Sequence, residues 1–167
     1  MLAKDETLTI RIDPPHILME FFSDEPKTDD RMQVEELIRK HHDEITIHKH
    51  VQHLKPDWKR YRELVLQNRI FVVSARLGTR IVGYGIFFVQ RHLHDKDLIY
   101  AMDDLFYIDA DVRGKRLGKG LIETAEAHAK LRGAKILLLR AKVGSQAEKL
   151  LPFIGYSPFE TVLAKEL

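Results

Sequence analysis

Between Leu105 and Leu131 the chain runs from a strand-like apolar segment, Leu105 to Ile108, through a basic glycine loop into an apolar-periodic helix. The loop reads Val112, Arg113, Gly114, Lys115, Arg116, Leu117, Gly118, Lys119, Gly120. Glycines let the backbone turn several N–H groups toward one point, and the following helix aims the positive end of its macrodipole at the same point. A chain carrying this order is constrained to a layered α/β fold with an anion site at the strand-to-helix turn. Phosphate or pyrophosphate is the natural guest.

Two better-known phosphate loops do not fit. The Mg-nucleotide loop places four residues between its first Gly and a Gly-Lys pair followed by Ser or Thr, whereas three separate Gly114 from Gly118, and Gly120 follows Lys119. The dinucleotide pattern fails as well, because taking Gly118 and Gly120 as its first two glycines puts Glu123 at the third. The expected ligand carries phosphate and needs no metal.

The remaining elements alternate in an α/β manner. Thr7 to Ile12 predicts a first strand, ended by Asp13, Pro14 and Pro15, and a short apolar run follows from Ile17 to Phe22. Asp29 and Asp30 are candidate caps for a helix whose apolar positions Met32, Val34, Leu37, Ile38 and Ile45 recur at helical spacing. A second helix is predicted from about Asp57 to Gln67. Ile70 to Ala75 and Ile81 to Val89 read as a hairpin turning at Gly78, with Gly83 and Gly85 marking a bulge or close packing. Arg91 to Asp97 reads as a polar loop and Leu98 to Ile108 as a long strand. Gly118 to Leu131 is a helix closed by Gly133, Lys135 to Leu139 a buried strand, Gln146 to Phe153 a short helix and Glu160 to Ala164 a last strand. Leu64, Phe71, Phe87, Phe88, Phe106 and Phe153 are expected in the core.

Bulk properties are those of a small enzyme. A chain of 167 residues buries roughly 70% of its unfolded surface, enough for a core without staples. The absence of cysteine removes thiol nucleophiles, thiolate metal sites and disulfides, and fits a reducing, cytoplasmic setting. Met1 to Ile10 carries Lys4, Asp5 and Glu6 without a long apolar run, so neither a signal peptide nor a membrane anchor is expected. A net charge of +2 is too mild to call for nucleic acid.

From about Phe71 to Leu167 the chain resembles the GNAT superfamily of acyl-CoA-dependent N-acyltransferases. That family's loop reads Gln/Arg-x-x-Gly-x-Gly/Ala. Arg113 and Gly118 match it in type and spacing, and Arg116 stands at its first glycine. A later signature, Asn-x-x-Ala, then Tyr four residues on, then Gly-Phe, is met in spacing by Ala147, Gly155 and Tyr156, while Gly144 replaces the Asn and Leu151 the Tyr. The resemblance implies one N-acyltransferase-like domain over residues 1–167, with a mixed, mostly antiparallel sheet splayed at the cofactor site and flanked by helices. It implies acetyl transfer from acetyl-CoA to a primary amine, on a small molecule or a protein, by direct attack in a ternary complex. A homodimer is compatible with it, and neither metal nor membrane is called for.

Roles follow from the same resemblance. Tyr107, Ile108 and Asp109 of the strand, and Arg113, Gly114, Lys115, Arg116, Leu117, Gly118, Lys119 and Gly120 of the loop, would bind the cofactor. A backbone N–H of the strand Asp103 to Ala110 would meet the thioester oxygen, where negative charge grows as the amine attacks. Asp104 matches an acidic position that some members carry there and is the candidate proton acceptor, because an amine must be neutral to attack. Asp103, on the other face, and His92 and His94, in the loop bordering the family's acceptor site, are candidates for substrate binding. Leu151 stands where the family's tyrosine would protonate the departing thiolate, so water or another hydroxyl, Tyr107 or Tyr156, would do that work, and activity is expected without a strong acid requirement.

Simpler readings stand beside these. Both aspartates also suit the polar end of a strand, Lys115, Arg116 and Lys119 an exposed basic face, and His92 and His94 plain surface. His41, His42, His48, His50 and His53 crowd one segment and could in principle build a metal site with Asp43 or Glu44. Their spacing matches no standard zinc pattern, which argues for a solvated or substrate-lining face. Because Gly144 and Leu151 depart from the pattern, a non-catalytic module of the same fold, binding acyl-CoA or a partner, is the alternative function.

Overall fold

The computed structural model describes residues 7–25, 28–114 and 116–167. Five strands form one sheet in sequential order: β1 (Leu8–Ile12), β2 (Ile70–Leu77), β3 (Arg80–His92), β4 (Asp95–Ile108) and β5 (Ile136–Leu138). The first four pair antiparallel and β5 joins β4 in parallel. A parallel partner requires a crossover, and helix α4 (Leu117–Leu131) supplies it.

Helices α1 (Pro15–Phe21), α2 (Asp29–Ile45) and α3 (Trp58–Leu66) cover one face of the sheet. Leu18, Phe21, Phe22, Leu37, Leu64, Tyr84 and Tyr107 are buried there. On the other face α4 brings Leu117, Leu121, Ala125 and Ala129 against Phe71, Val73, Val82 and Phe87. Helix α5 (Gln146–Phe153) follows β5.

Local chemistry starts the helices. Thr28 Oγ1 accepts from Arg31 N at 3.2 Å, so Thr28 is the cap of α2 and Asp29 and Asp30 fall in the first turn, where their charge suits the helix dipole. Asp57 caps α3 by accepting from Arg60 N at 2.9 Å, and Ser145 caps α5 by accepting from Glu148 N at 3.2 Å. Among the described residues no helix is long and apolar enough to cross a membrane.

Several expectations are corrected. The run Ile17 to Phe22, given no element from sequence, is helical: α1 begins at Pro15, where its missing N–H costs nothing, and ends at Phe21 with Phe22 as its C-cap. The predicted loop Arg91 to Asp97 is mostly ladder: β3 continues to His92 and β4 begins at Asp95, because cross-strand bonding holds polar residues at the end of a long ribbon. The predicted buried strand Lys135 to Leu139 is three residues long and half-exposed. Glu160 to Ala164, expected as a last strand, forms none, since a strand needs a ladder partner and none of the described strands pairs with it. Phe153 is 89% exposed, at the end of α5, rather than core.

Candidate active site

Pairing between β4 and β5 covers only Tyr100, Ala101 and Met102 against Ile136, Leu137 and Leu138. Beyond Met102 that edge of β4 pairs with none of the described strands, and the ladder to β5 ends there. Asp103 bridges the two strands at the fork. Its Oδ1 accepts from Arg140 N at 2.8 Å, and the Arg140 guanidinium donates to the Asp103 carbonyl. Burial pushes the Asp103 carboxyl above its ordinary value, against the contrary pull of Arg140.

A β-bulge next to the fork decides where the side chains go. Ile86 lies opposite Leu105 and Phe87 opposite Asp103, which leaves Asp104 as the extra residue of β4. An inserted residue resets the strict alternation of faces. Ala101 faces α4, but after the bulge it is Phe106 and Ile108 that face α4, while Leu105 and Tyr107 turn to α1–α3. Gly85 makes the bulge possible: a Cβ there would lie 2.6 Å from the ring of Phe87, which folds back over it.

Asp104 thus turns to α3, where Tyr61 donates its hydroxyl hydrogen to Asp104 Oδ2 at 2.5 Å. Burial and the neighbouring carboxylate push the Tyr61 hydroxyl well above its ordinary pKa, so it stays a donor. Beside it the hydroxyl of Tyr84 lies 2.7 Å from His41 Nδ1, and the His41 ring stacks on Tyr107 with centroids 5.0 Å apart. Burial lowers the His41 pKa to about 4, leaving a neutral imidazole.

Farther along β4, Tyr107 donates to Glu44 Oε2 at 3.0 Å, and Arg113 grips the same carboxylate with both terminal nitrogens, at 2.6 and 2.7 Å. The Arg113 guanidinium holds the Glu44 carboxyl below its usual range, and Arg113 Nε donates to Ile108 O at 3.0 Å. The first arginine of the loop is therefore oriented by the end of α2.

The loop itself turns through left-handed backbone at Gly114 (φ 86°) and at Arg116 (φ 60°), the residue where the pattern favours glycine. Arg116 is the cap position of α4, with no side-chain cap bond and no acidic residue in the first turn. Leu117, Gly118 and Lys119 open α4, and the first-turn N–H groups of a helix, lacking intrahelical carbonyls, suit an anion. A Cβ on Gly118 would meet Leu150 and Ile108 at 3.3 and 3.4 Å, and one on Gly120 would meet Ile10 at 2.6 Å, so both glycines also serve close packing. Leu117 is buried, and Lys119 pairs with Glu123 at 3.5 Å on the surface. Lys115 lies outside the described residues.

Among the expected site residues, Tyr107, Ile108, Asp109, Arg113, Gly114, Arg116, Leu117, Gly118, Lys119 and Gly120 come together at the end of β4 and the start of α4. The Asp109 carboxylate is held by Lys40 at 2.9 Å. His92 and His94 stand at the tip of the β3–β4 ribbon. His92 pairs with Asp95, nine residues before Asp104, or roughly 30 Å along the strand. Tyr156 donates to Glu126 of α4 at 2.8 Å. A cavity of about 290 Å³, lined by Gln33, Glu36, Lys40, Arg80, Asp109 and Asp111 among others, lies between α2 and β3 and does not include Asp104.

Tyr61, Tyr84, His41 and Arg140 carry no motif. Two of them left a trace: His41 belongs to the histidine-rich segment, and Tyr61 shares one face of a predicted helix with Trp58 and Val65.

Solved structures share this architecture. A ribosomal-protein-alanine N-acetyltransferase from Brucella melitensis biovar Abortus 2308 superposes with a TM-score of 0.66 at 20% identity, over 96% of this chain and 99% of its own. An aminoglycoside acetyltransferase from an uncultured soil metagenomic sample, in complex with sisomicin, gives 0.71 at 20% identity over 96% and 95%. A transcriptional regulator from Bacillus halodurans C-125 gives 0.69 at 18% identity over 96% and 100%. Among curated proteins none matches. The sequence profile of the acetyltransferase (GNAT) family matches residues 31–153, spanning the fork, the bulge and the loop, and the chain belongs to that family.

Proposed function

We propose that this protein is an N-acetyltransferase that moves the acetyl group of acetyl-CoA to a primary amine by direct attack in a ternary complex. The observation that carries the reading is the opening of β4 from β5 beside the uncapped start of α4, with Asp104 at the bulge.

Each part has a task in such a reaction. The first-turn N–H groups of α4 and the turns at Gly114 and Arg116 fit a diphosphate. Alternate N–H groups along the unpaired edge of β4 suit the thioester oxygen, whose negative charge they stabilise in the transition state. Asp104, directly or through water, takes the proton from the acceptor ammonium. The amine nitrogen then bonds to the carbonyl carbon, the carbon–sulfur bond breaks, CoA leaves as thiolate, and the nitrogen's remaining extra proton passes to water or to the departing thiolate. Tyr61 keeps Asp104 oriented. The fold neighbours named for aminoglycosides and for a ribosomal-protein alanine both act on acceptors with an amine, which agrees with the reaction class and leaves the acceptor of this chain to experiment. A cytoplasmic setting accompanies the reading.

The test is thermal unfolding with acetyl-CoA, followed by thiol release with a panel of amines. Ligand at a hundredfold its dissociation constant adds about 2.7 kcal/mol of stability. No stabilisation at saturating acetyl-CoA or CoA would sink the proposal. Stabilisation without thiol release from any amine would favour a non-catalytic acyl-CoA-binding module.

A further inference from the structure

Away from the fork, α2 runs into a connection that carries His48, His50 and His53 before α3 begins. His48 and His50 stand together there with Glu166 of the C-terminal segment, one donor atom of each lying within 4.8 Å of the others. His50 Nε2 is 2.9 and 3.1 Å from the two Glu166 carboxylate oxygens, and the His48 and His50 rings meet edge to face with centroids 6.1 Å apart.

The histidines sit on a shaped turn. Val51 N and Gln52 N both donate to His48 O, at 3.1 and 2.8 Å, closing the backbone around the pair. The His42 ring, 2.9 Å from Gln52 O through Nε2, and Lys49 Nζ, which donates to the Asp43 carbonyl, tie that turn back to the end of α2. Two imidazoles are thereby presented from an anchored segment, while the carboxylate arrives from a segment 116 residues away in sequence.

We infer that His48, His50 and Glu166 form a binding site for a zinc-type divalent ion, which fastens the C-terminal segment to the α2–α3 connection. Two imidazole nitrogens and one carboxylate are a borderline donor set that suits Zn²⁺, whereas Mg²⁺ and Ca²⁺ prefer oxygen alone. Tetrahedral zinc with bonds of about 2.0–2.1 Å sets its donors roughly 3.4 Å apart. The present 4.8 Å span closes by side-chain rotation, which the exposure of all three residues permits. Zinc then takes the place of the hydrogen between His50 and Glu166, that proton passing to solvent or the imidazole carrying its hydrogen on Nδ1 instead, and water completes the shell. The site shares no residue with the proposed acyl-transfer centre, so it is tested independently of the proposed activity.

The test is zinc binding to tag-free protein by calorimetry or equilibrium dialysis, with proteolysis of the C-terminal segment as a second readout. Wild type is expected to bind one Zn²⁺ per chain, and zinc to slow cleavage after Lys165 until a chelator restores it. His48→Ala, His50→Ala and Glu166→Gln, all at exposed positions, are each expected to weaken binding roughly tenfold or more, and His94→Ala to leave it unchanged. Absence of stoichiometric binding at about 100 µM zinc overturns the inference. So does binding that the three ligand variants leave intact, or binding that leaves the segment equally open to protease.

Discussion

Tyr61 of α3 donates its hydroxyl hydrogen to Asp104 of β4 at 2.5 Å, so the carboxylate displaced by the bulge is held by the helix layer rather than by its own strand. With Asp104 as proton acceptor, Asp104→Asn is expected to lower turnover about a hundredfold or more with acetyl-CoA affinity nearly unchanged. Tyr61→Phe removes a hydrogen bond to a charged group, worth about 1.5–3 kcal/mol, and is expected to lower turnover roughly tenfold or more by loosening Asp104. Steady-state kinetics paired with acetyl-CoA thermal shifts check both. Unchanged turnover in Asp104→Asn would refute the role, and joint loss of acetyl-CoA binding would mark the residue as structural.

His41 predicts an acid-side loss of stability. Its folded pKa of about 4 lies below the 6.5 of a free imidazole. Between those values the unfolded chain binds a proton that the folded one refuses. Stability therefore falls as pH drops through that window, by up to about 1.4 kcal/mol per pH unit. Glu44, held low by Arg113, contributes above the ordinary carboxylate value and loses that contribution only as pH falls through its lowered one, so its loss follows that of His41. Denaturant unfolding at several pH values should show a flatter curve for His41→Gln. Parallel curves for variant and wild type would count against the assignment.

Gly118 and Lys119 are adjacent but should respond differently. The Cβ of Gly118→Val meets Leu150 at 3.3 Å and Ile108 at 3.4 Å, and its two methyls crowd them further. A stability loss of about 1–3 kcal/mol is expected, with a weaker response to acetyl-CoA. Lys119→Ala removes an exposed pair with Glu123 and should cost less than about 1 kcal/mol. Comparing unfolding midpoints with and without acetyl-CoA decides this, and a Gly118→Val variant as stable as wild type contradicts the packing.

Arg116 holds a left-handed conformation at φ 60°, which disfavours any side chain. Arg116→Gly should therefore stabilise the apo protein, by up to about 1 kcal/mol, less the greater freedom glycine gives the unfolded chain. Chemical denaturation measures it. Clear destabilisation would show that the guanidinium makes a contact worth more than the strain.

Leu151 cannot protonate the departing thiolate, and the two tyrosines considered for that task are engaged elsewhere. Tyr156 donates to Glu126, and Tyr107 donates to Glu44 with its own pKa pushed up to about 12. A thiol pKa near 8.5 makes the thiolate a tolerable leaving group unaided. Tyr107→Phe and Tyr156→Phe are expected to keep turnover within about tenfold of wild type, without losing a dominant alkaline limb from the pH–rate profile. A folded, acetyl-CoA-binding variant that loses two or more orders of magnitude would identify its tyrosine as the general acid.

The linear order of residues was enough to place the strand, glycine loop and helix around Arg113 to Gly120, the β2–β3 hairpin and helices α2 to α5, because capping, turn residues and apolar periodicity act over a few positions. It also singled out Asp104 beside Asp103. Tertiary structure decided what those residues meet. The bulge at Asp104 reverses the alternation of faces along β4, turning Tyr107 to α2 and Ile108 to α4, and no local signal marks an inserted ladder residue. Tyr61, His41 and Glu44 reach β4 and the loop from segments 43 to 69 residues away. Conversely, the apolar run Val162 to Ala164 suggested a last strand over Glu160 to Ala164, but a strand needs a ladder neighbour, and Phe153 was apolar enough for a core that the end of α5 does not reach. Periodicity records which face a residue would bury, whereas the neighbour that covers it is set by chain segments meeting in space.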